Sequence, residues 1–418
     1  MKGCSLTPKP MAQDVVFFSL FRTDNPYSSI SLSMAKALAK SVRVLYVNHP
    51  YSLKDIFSGL IKGDSMLRKR IWHLLRFRNR YERLDAIPEN FIAVTPPPTL
   101  PINWLPPGKI YDFFQGLNNG IILRAIQRAA KREGFHNYLY INCYDPFYAG
   151  WLPPEMGAQT CIYHCIDDIT QNAYTAKHGA RLENEACQHA DLTFVTSTNL
   201  NRLKNPFARR IQNYFNAAEV SIFQKVLTEK YPRPAELEGR QGKVIGFIGN
   251  LDELRIDYPL LHKIALRFPQ HTLLLVGPLN SPEPARIGMD ELPNVVFAGS
   301  RKLEALPPLL QHMDCVLIPF LCNTLTFSIY PLKINEYLAA GKPVVSSSFS
   351  EDIRTFAHCT YLAADHEAFL EKIELALVED DPEMVRARVE VANGNTWEAR
   401  IEMLWRIISE RGDTDFTD

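Results

Sequence analysis

The sequence predicts an α/β protein built from two Rossmann-like domains. Three observations lead there. Strand, helix and strand patterns follow one another within about 35 residues near the start, the signature of a βαβ unit with a parallel sheet. A polar, proline-containing stretch, Thr228–Gly242, reads as a linker, and the same alternation restarts directly after it. The length, 418 residues, suits two domains of ordinary size.

In chain order, Asp14–Leu20 is a continuous apolar run of strand length, Ser31–Lys40 has helical composition, and Val42–Val47 is the second strand. Tyr138–Asn142, Gln159–Ile166 and Leu192–Thr196 read as further strands, with helices at Ile121–Arg132 and Ala180–Ala190 among them. After the interruption, Lys243–Gly249 is a strand, Tyr258–Phe268 a helix, Thr272–Val276 and Val295–Phe297 strands, Cys315–Pro319 a strand, Pro331–Ala340 a helix and Pro343–Ser347 a strand. The expected domains are therefore 1–227 and 240–394. They face each other across a cleft, because open α/β sheets bind ligands at the carboxyl ends of their strands.

Composition narrows the class. Hydrophobic residues make up 46% and charged residues 22%, the values of an ordinary folded protein. Lys plus Arg and Asp plus Glu are both 46, and this neutrality argues against a nucleic-acid partner. The balance is not local. Residues 54–83 hold nine basic and three acidic side chains, so this segment nets +6 and the remainder −6. Leu67, Ile71, Leu74, Leu75 and Tyr81 recur there at helical spacing. A basic amphipathic helix suits peripheral contact with an anionic membrane; a helix packed on the sheet with a solvated basic face is the equal alternative. The chain carries no apolar run of the roughly 18–20 residues that span a bilayer, and Val15–Phe21 is too short for a signal segment. The eight cysteines (Cys4, Cys143, Cys161, Cys165, Cys187, Cys315, Cys322 and Cys359) form no CxxC and sit mostly in apolar runs, the usage of a reducing compartment. The expected location is the cytoplasm, at the inner face of the membrane where the basic segment makes contact.

The most informative stretch is Asn323–Ser347. Pro331 suits the first position of a helix, and Gly341 followed by Lys342-Pro343 suits its end. The helix would start in a polar loop with Thr324, Thr326 and Ser328. A helix N-terminus with Lys333 in its first turn favours a phosphate. Glu336, three residues on, shares that face; a carboxylate beside the cation suits sugar hydroxyls, and a plain surface ion pair is the other reading of the spacing. Glycines at strand ends, Gly249, Gly277 and Gly299, allow tight turns or close approach of a ligand. Asp167 and Asp168 follow a strand and could deprotonate a hydroxyl, or one could cap the next helix. Their spacing does not suit a metal. Asp145-Pro146-Phe147-Tyr148 reads equally as an acceptor-contacting loop or a turn. His164 lies near Cys161 and Cys165, but strand alternation turns it away from both, so a core or cleft-lining histidine is expected.

The run Pro331–Val345 (PLKINEYLAAGKPVV) closely resembles the donor-site helix of GT-B glycosyltransferases, in particular the bacterial surface-polysaccharide and teichuronic acid relatives in glycosyltransferase family 4. Val244–Leu251 with Arg255-Ile256-Asp257, Leu273–Pro278, Pro293-Asn294-Val295 and Gly299 resemble that family's nucleotide domain. Tyr163–Asp168, Ala190–Ser197 and Asn216–Phe223 resemble its later N-terminal strands and interdomain motif, and Trp397–Ile408 its last helix. The resemblance covers most of residues 138–408. It implies the GT-B fold, with 1–227 as the acceptor domain completed by the helix 395–418, and 240–394 as the donor domain. It implies transfer from a nucleotide-diphosphate sugar to a lipid-linked or growing cell-surface glycan, with no metal or other cofactor. The donor-binding residues would be Gly249, Asn250, Arg255, Gly277, Thr326, Ser328, Pro331, Leu332, Lys333 and Glu336. Asp167 and Asp168 would be the catalytic candidates. An inactive scaffold and a nucleotide-sugar epimerase of the same fold are the competing readings. Two departures stand out. The position eight before Glu336 is Ser328, where many retaining members carry a second glutamate, and the first strand leads into Arg22–Ser28 instead of a glycine-rich loop.

Overall fold

The computed structural model describes residues 13–24, 29–62, 76, 78–84 and 87–412. The chain divides into two compact units. Unit 1 comprises the chain up to Thr196, Leu200–Tyr214 and everything from Arg400; unit 2 comprises Ser197–Asn199 and Phe215–Ala399.

Unit 1 is an eight-stranded sheet of β1 (Val15–Ser19), β2 (Val44–Asn48), β3 (Arg80–Glu82), β4 (Phe91–Thr95), β5 (Tyr138–Cys143), β6 (Ala158–Cys165), β7 (Leu192–Val195) and β8 (Ile211–Asn213), in the order β3-β4-β2-β1-β5-β6-β7-β8. All neighbours are parallel except the edge pair β3–β4. Every residue of β1 is buried, as a central strand covered on both faces requires. The chain adds β2 on one side of β1 and later β5 on the other. The strand order therefore reverses at β1, which opens a crevice beyond its carboxyl end.

Unit 2 repeats the plan with β9 (Val244–Ile248), β10 (Thr272–Val276), β11 (Val295–Gly299), β12 (Cys315–Ile318), β13 (Val344–Ser347) and β14 (Tyr361–Ala363) in the order β11-β10-β9-β12-β13-β14. Here the reversal lies between β9 and β12.

Three expectations change. The polar stretch at 228–242 is not a free linker, and the division falls earlier, at Tyr214/Phe215. The cause is apolar burial. Val220, Phe223 and Val226 of the helix Val220–Thr228, and Leu237 beyond it, sit in one cluster with Leu309, Leu310, Ile334 and Leu338 of unit 2. The last helix, Trp397–Gly412, starts beside unit 2, where Ala218 N–H donates to Asn395 O (3.1 Å), and joins unit 1 from Arg400, whose carbonyl accepts from Tyr214 Oη (2.7 Å). In the basic segment the helix is Leu53–Lys62, while Tyr81 belongs to strand β3, opposite Val94 and beneath the Arg132 guanidinium. Leu67, Ile71, Leu74 and Leu75 lie outside the described residues.

His164 is a core residue, as expected. It pairs in register with Cys143, its Nδ1 is 3.7 Å from Cys143 Sγ, and Phe194 and Tyr214 meet the ring edge-on. Its Nε2 is buried without a hydrogen-bond partner among the described residues. Burial pushes its pKa down to about 3. Below pH ~6.5 an unfolded chain would take up a proton here that the native state refuses, so stability falls as pH drops, by up to about 1.4 kcal/mol per pH unit from this one group. Urea unfolding between pH 7 and pH 4 should show a shallower acid loss for His164→Phe than for the parent; parallel curves would rule this group out as a contributor.

Candidate functional site

The donor-site candidates gather at the strand reversal of unit 2. Beyond β9, Gly249 N–H donates to Val276 O (2.9 Å), and Gly277 N–H donates to Gly299 O (3.0 Å), so the three strand ends are laced together. This approach admits no side chain at 277. Gly277 has φ +150°, and a Cβ there would stand 1.7 Å from the Gly249 carbonyl oxygen. Both glycines therefore have structural work. Asn250 follows, its amide nitrogen donating to Asp252 and its oxygen accepting from Asn280 (both 3.1 Å). Arg255 stands 3.8 Å from Asp252 with its side chain more than a third exposed.

Beyond β12 the chain makes the short helix Thr324–Phe327, fixed by a reciprocal capping box between Asn323 and Thr326. Thr326 is fully buried, and its hydroxyl also donates to the Leu321 carbonyl. Ser328 is buried too and accepts a 2.9 Å hydrogen bond from Asn199 Nδ2. Both hydroxyls are thus engaged inside unit 2, where they shape the loop.

The helix Leu332–Ala339 comes next. Pro331 is its N-cap rather than its first helical residue, with φ −76° and ψ 99°, and no side chain caps it. The helix is fastened at both ends. Tyr337 Oη accepts from Ile248 N–H at 2.8 Å, which pins it to the end of β9, and burial raises the phenol's pKa. At the far end Gly341 takes φ +67°, as a C′ residue should, and a Cβ there would meet Val385 at 2.8 Å. The fully buried Arg388 donates to Gly341 O (3.3 Å) and Cys359 O (3.0 Å) and pairs with Glu379 through both terminal nitrogens. On this fixed helix Lys333 Nζ lies 2.7 Å from Glu336 Oε2; the lysine is about a quarter exposed and the carboxylate nearly buried. The ion pair read as an alternative from the spacing is therefore present, but half-sunk.

In unit 1, Asp168 accepts from Thr170 N–H (3.0 Å), Thr170 Oγ1 (2.7 Å) and Gln171 Nε2 (3.0 Å). It is the cap of the single 3-10 turn Ile169–Gln171, which is the capping alternative. Asp167 precedes it, half-buried, at the end of β6. The sequence reading missed a closer pair. His49, just past β2, and the fully buried Asp145, just past β5, meet across the end of β1 with Nδ1 and Oδ2 2.6 Å apart. The position of a histidine one residue beyond a buried strand was the available signal.

Among solved structures, sucrose-phosphate synthase from Thermosynechococcus elongatus matches with a TM-score of 0.65 at 15% identity, over 96% of this chain and 100% of that one. Anabaena HepE in complex with UDP and glucose matches with a TM-score of 0.60 at 14% identity, over 94% and 99%. The fold is GT-B. Residues 242–379 match the family described as Glycosyl transferases group 1. All ten donor-site candidates of this GT-B chain lie inside that match; Asp167, Asp168, His49 and Asp145 lie outside it. A Bacillus subtilis (strain 168) protein carrying the name teichuronic acid biosynthesis glycosyltransferase TuaH is 28% identical over 194 residues, 45% of this chain and 48% of that protein. The alignment thus spans about half the length of that relative.

The glycine contacts separate steric need from simple turn preference. Gly277→Ala should cost on the order of 3 kcal/mol or prevent folding, because backbone must move. Gly288 also has positive φ but has nothing within 4 Å of a built Cβ. Gly288→Ala should cost only about 1 kcal/mol, and chemical denaturation of the two variants side by side would show whether the contrast holds.

Proposed function

We propose that this chain is a glycosyltransferase that moves a hexosyl group from a nucleotide-diphosphate sugar to a lipid-linked or growing cell-surface glycan, without a metal, on the cytoplasmic side of the membrane. The observation that carries the reading is the Lys333–Glu336 pair on the helix Leu332–Ala339, beyond the strand reversal of a domain matching Glycosyl transferases group 1. The paired ammonium is poised to exchange its carboxylate for a diphosphate. Charge grows on that leaving group as the glycosidic bond breaks, so a cation already in place lowers the barrier. Glu336, released, accepts from sugar hydroxyls. Arg255, exposed enough to reorient, would supply further positive charge, and the glycine-laced strand ends let a nucleotide approach the backbone.

Two relatives support the substrate classes. HepE holds UDP and glucose in its structure, and TuaH is named for teichuronic acid biosynthesis. No described helix is long and apolar enough to cross a membrane. For a membrane-borne acceptor, peripheral contact through 54–83 is the proposed route; Phe57 and Ile61 of the helix Leu53–Lys62 are 62% and 87% exposed beside exposed Lys54.

Titration with UDP, GDP, dTDP and ADP should raise the melting temperature for one base, since a ligand at a hundred times its Kd adds about 2.7 kcal/mol. Lys333→Ala and Glu336→Ala should each weaken that nucleotide at least about tenfold, the worth of a charge-assisted hydrogen bond. No shift with any nucleotide would sink the proposal. Binding without donor hydrolysis or transfer would indicate an inactive scaffold, and conversion of free donor an epimerase. Cosedimentation with anionic but not neutral vesicles should follow from the basic segment and disappear when its charges are reversed.

A further inference from the structure

Unit 1 contains a cavity of about 810 Å³ at the crevice beyond β1, lined by Leu20, His49, Pro50, Phe147 and Tyr148, with Trp104 and Tyr174 among its outer residues. Trp104 and Tyr174 are 74% and 69% exposed. Exposed aromatic faces beside an apolar wall suit the C–H faces of a pyranose ring and an apolar aglycone.

His49, in the wall of this cavity, is paired with Asp145, and that pair is held from several sides. Asp145 Oδ2 engages His49 Nδ1, while its Oδ1 accepts from Phe147 N–H (3.1 Å). Asn142 grips the loop from below, donating from Nδ2 to the carbonyls of Asp145 (2.8 Å), Tyr148 (3.1 Å) and Ala149 (2.9 Å). The loop is flanked by two non-glycine residues with positive φ, Tyr144 at 63° and Ala149 at 47°. Each such residue costs about 1–3 kcal/mol, and such strain concentrates at working sites. On the other side, Arg22 donates to the carbonyls of His49 (3.1 Å) and Pro50 (3.2 Å) and stacks over the Tyr51 ring. Thr23 N–H donates to Asn48 Oδ1 (2.8 Å). Arg22 and Thr23, which follow β1 in place of a glycine-rich loop, thus brace the histidine and the strand end before it.

We propose that this cavity seats a glycoside acceptor with an apolar tail and that His49 Nε2 takes the proton of the attacking hydroxyl, an inference that rests on the glycosyl-transfer reading above. Asp145 accepts from Nδ1–H, which leaves the Nε2 lone pair for the substrate; Nε2 has no hydrogen bond among the described residues. In the step, the acceptor oxygen forms its bond to the anomeric carbon, the bond from that carbon to the diphosphate oxygen breaks, and the diphosphate leaves with that electron pair. The hydroxyl proton passes to Nε2. His49 is the catalytic residue, and Asp145 is a positioning residue that fixes the tautomer and stabilises the imidazolium. Asp168 is spent on its turn, and Asp167 is not required for the proton.

The test uses the full chain labelled with ¹⁵N-histidine, His49 being assigned by the signal that His49→Gln removes. Long-range ¹H–¹⁵N spectra should show His49 protonated on Nδ1, and Asp145→Asn should shift it toward the Nε2–H form. Octyl β-D-glucoside should move the His49 Nε2 resonance. An Nε2–H tautomer in the parent, or no response to octyl glucoside, would overturn the assignment. In the kinetic arm, transfer from the radiolabelled sugar of the base that shifts the melting temperature is measured into octyl glucoside. His49→Gln should lose about a hundredfold or more in kcat with its nucleotide-induced shift intact. A kcat in His49→Gln within a few-fold of the parent's would overturn the assignment. Loss of the nucleotide shift in the parent would instead strike the glycosyl-transfer reading.

Discussion

A parallel strand buried on both faces can offer chemistry only at its ends, and this constraint governs the whole molecule. Val15–Phe18, Leu273–Val276 and Cys315–Ile318 are wholly apolar inside their sheets, paired along the strand with neighbours on both sides. Nothing polar can be placed there without a partner. Side chains that meet a substrate must therefore stand on the loops just past the carboxyl ends, and the reversal of strand order at β1 and between β9 and β12 spreads those loops apart enough to admit one. Each unit obeys this separately. Two polar pairs that the fold leaves partly accessible, His49 with Asp145 and Lys333 with Glu336, stand at such reversals.

The helix Leu332–Ala339 shows how such a pair is kept in place. Eight residues make a helix too short to persist alone, so tertiary contacts have to hold it. Tyr337 ties it to β9, Arg388 ties its exit to the buried end of the unit, and Ile334, Leu338 and Ala339 fill the core cluster. What remains for the opposite side is Lys333 and Glu336. A nearly buried carboxylate without its ammonium would carry a desolvation cost. The pair therefore keeps Glu336 compensated, and under the proposed reading a bound donor has to replace the ammonium that it engages.

Much of this was legible because the signals were local. The apolar strands β1, β2, β5, β6, β9 and β10, the glycines at 277 and 341 and the Pro331–Val345 run could be read one segment at a time, whereas β4 was not read. Boundaries slipped where tertiary packing decides them. The helix expected from Ile121 begins at Lys109, where the apolar side chains Ile110, Phe113 and Leu117 face solvent and Gly116 and Gly120 interrupt the run, and the one expected from Ala180 begins at Ala173. The short strands β3, β8 and β14 are three residues each, too brief to show alternation. The 228–242 stretch reads as a linker by composition, yet one apolar residue, Leu237, is enough to draw it into unit 2. Thr326 and Ser328 look like phosphate ligands beside a helix start, but Thr326 donates to Leu321 in its own loop and Ser328 accepts from Asn199 Nδ2.

The His49–Asp145 pair was missed for a different reason. Its members are 96 positions apart and meet only because β2 and β5 flank β1 on opposite sides, a fact of strand order and not of spacing. Strain is the feature that distinguishes it from an incidental contact. A turn from β5 toward Asn142's amide could be made with glycine at 144 and 149 at no steric cost, and the chain uses tyrosine and alanine there instead. Tyr144 is largely buried, so its side chain adds packing that glycine would forgo; Ala149 is buried in the apolar cluster with Ile122 and Tyr140. The left-handed backbone is thus stabilised from the core outward, and what it fixes on the outer side is the carboxylate of Asp145. Arg22 performs the same service for His49 through the carbonyls of His49 and Pro50. A rigid pair braced from both neighbouring strand ends can hold one imidazole tautomer against thermal rotation, and that is the property a proton acceptor needs before a substrate arrives.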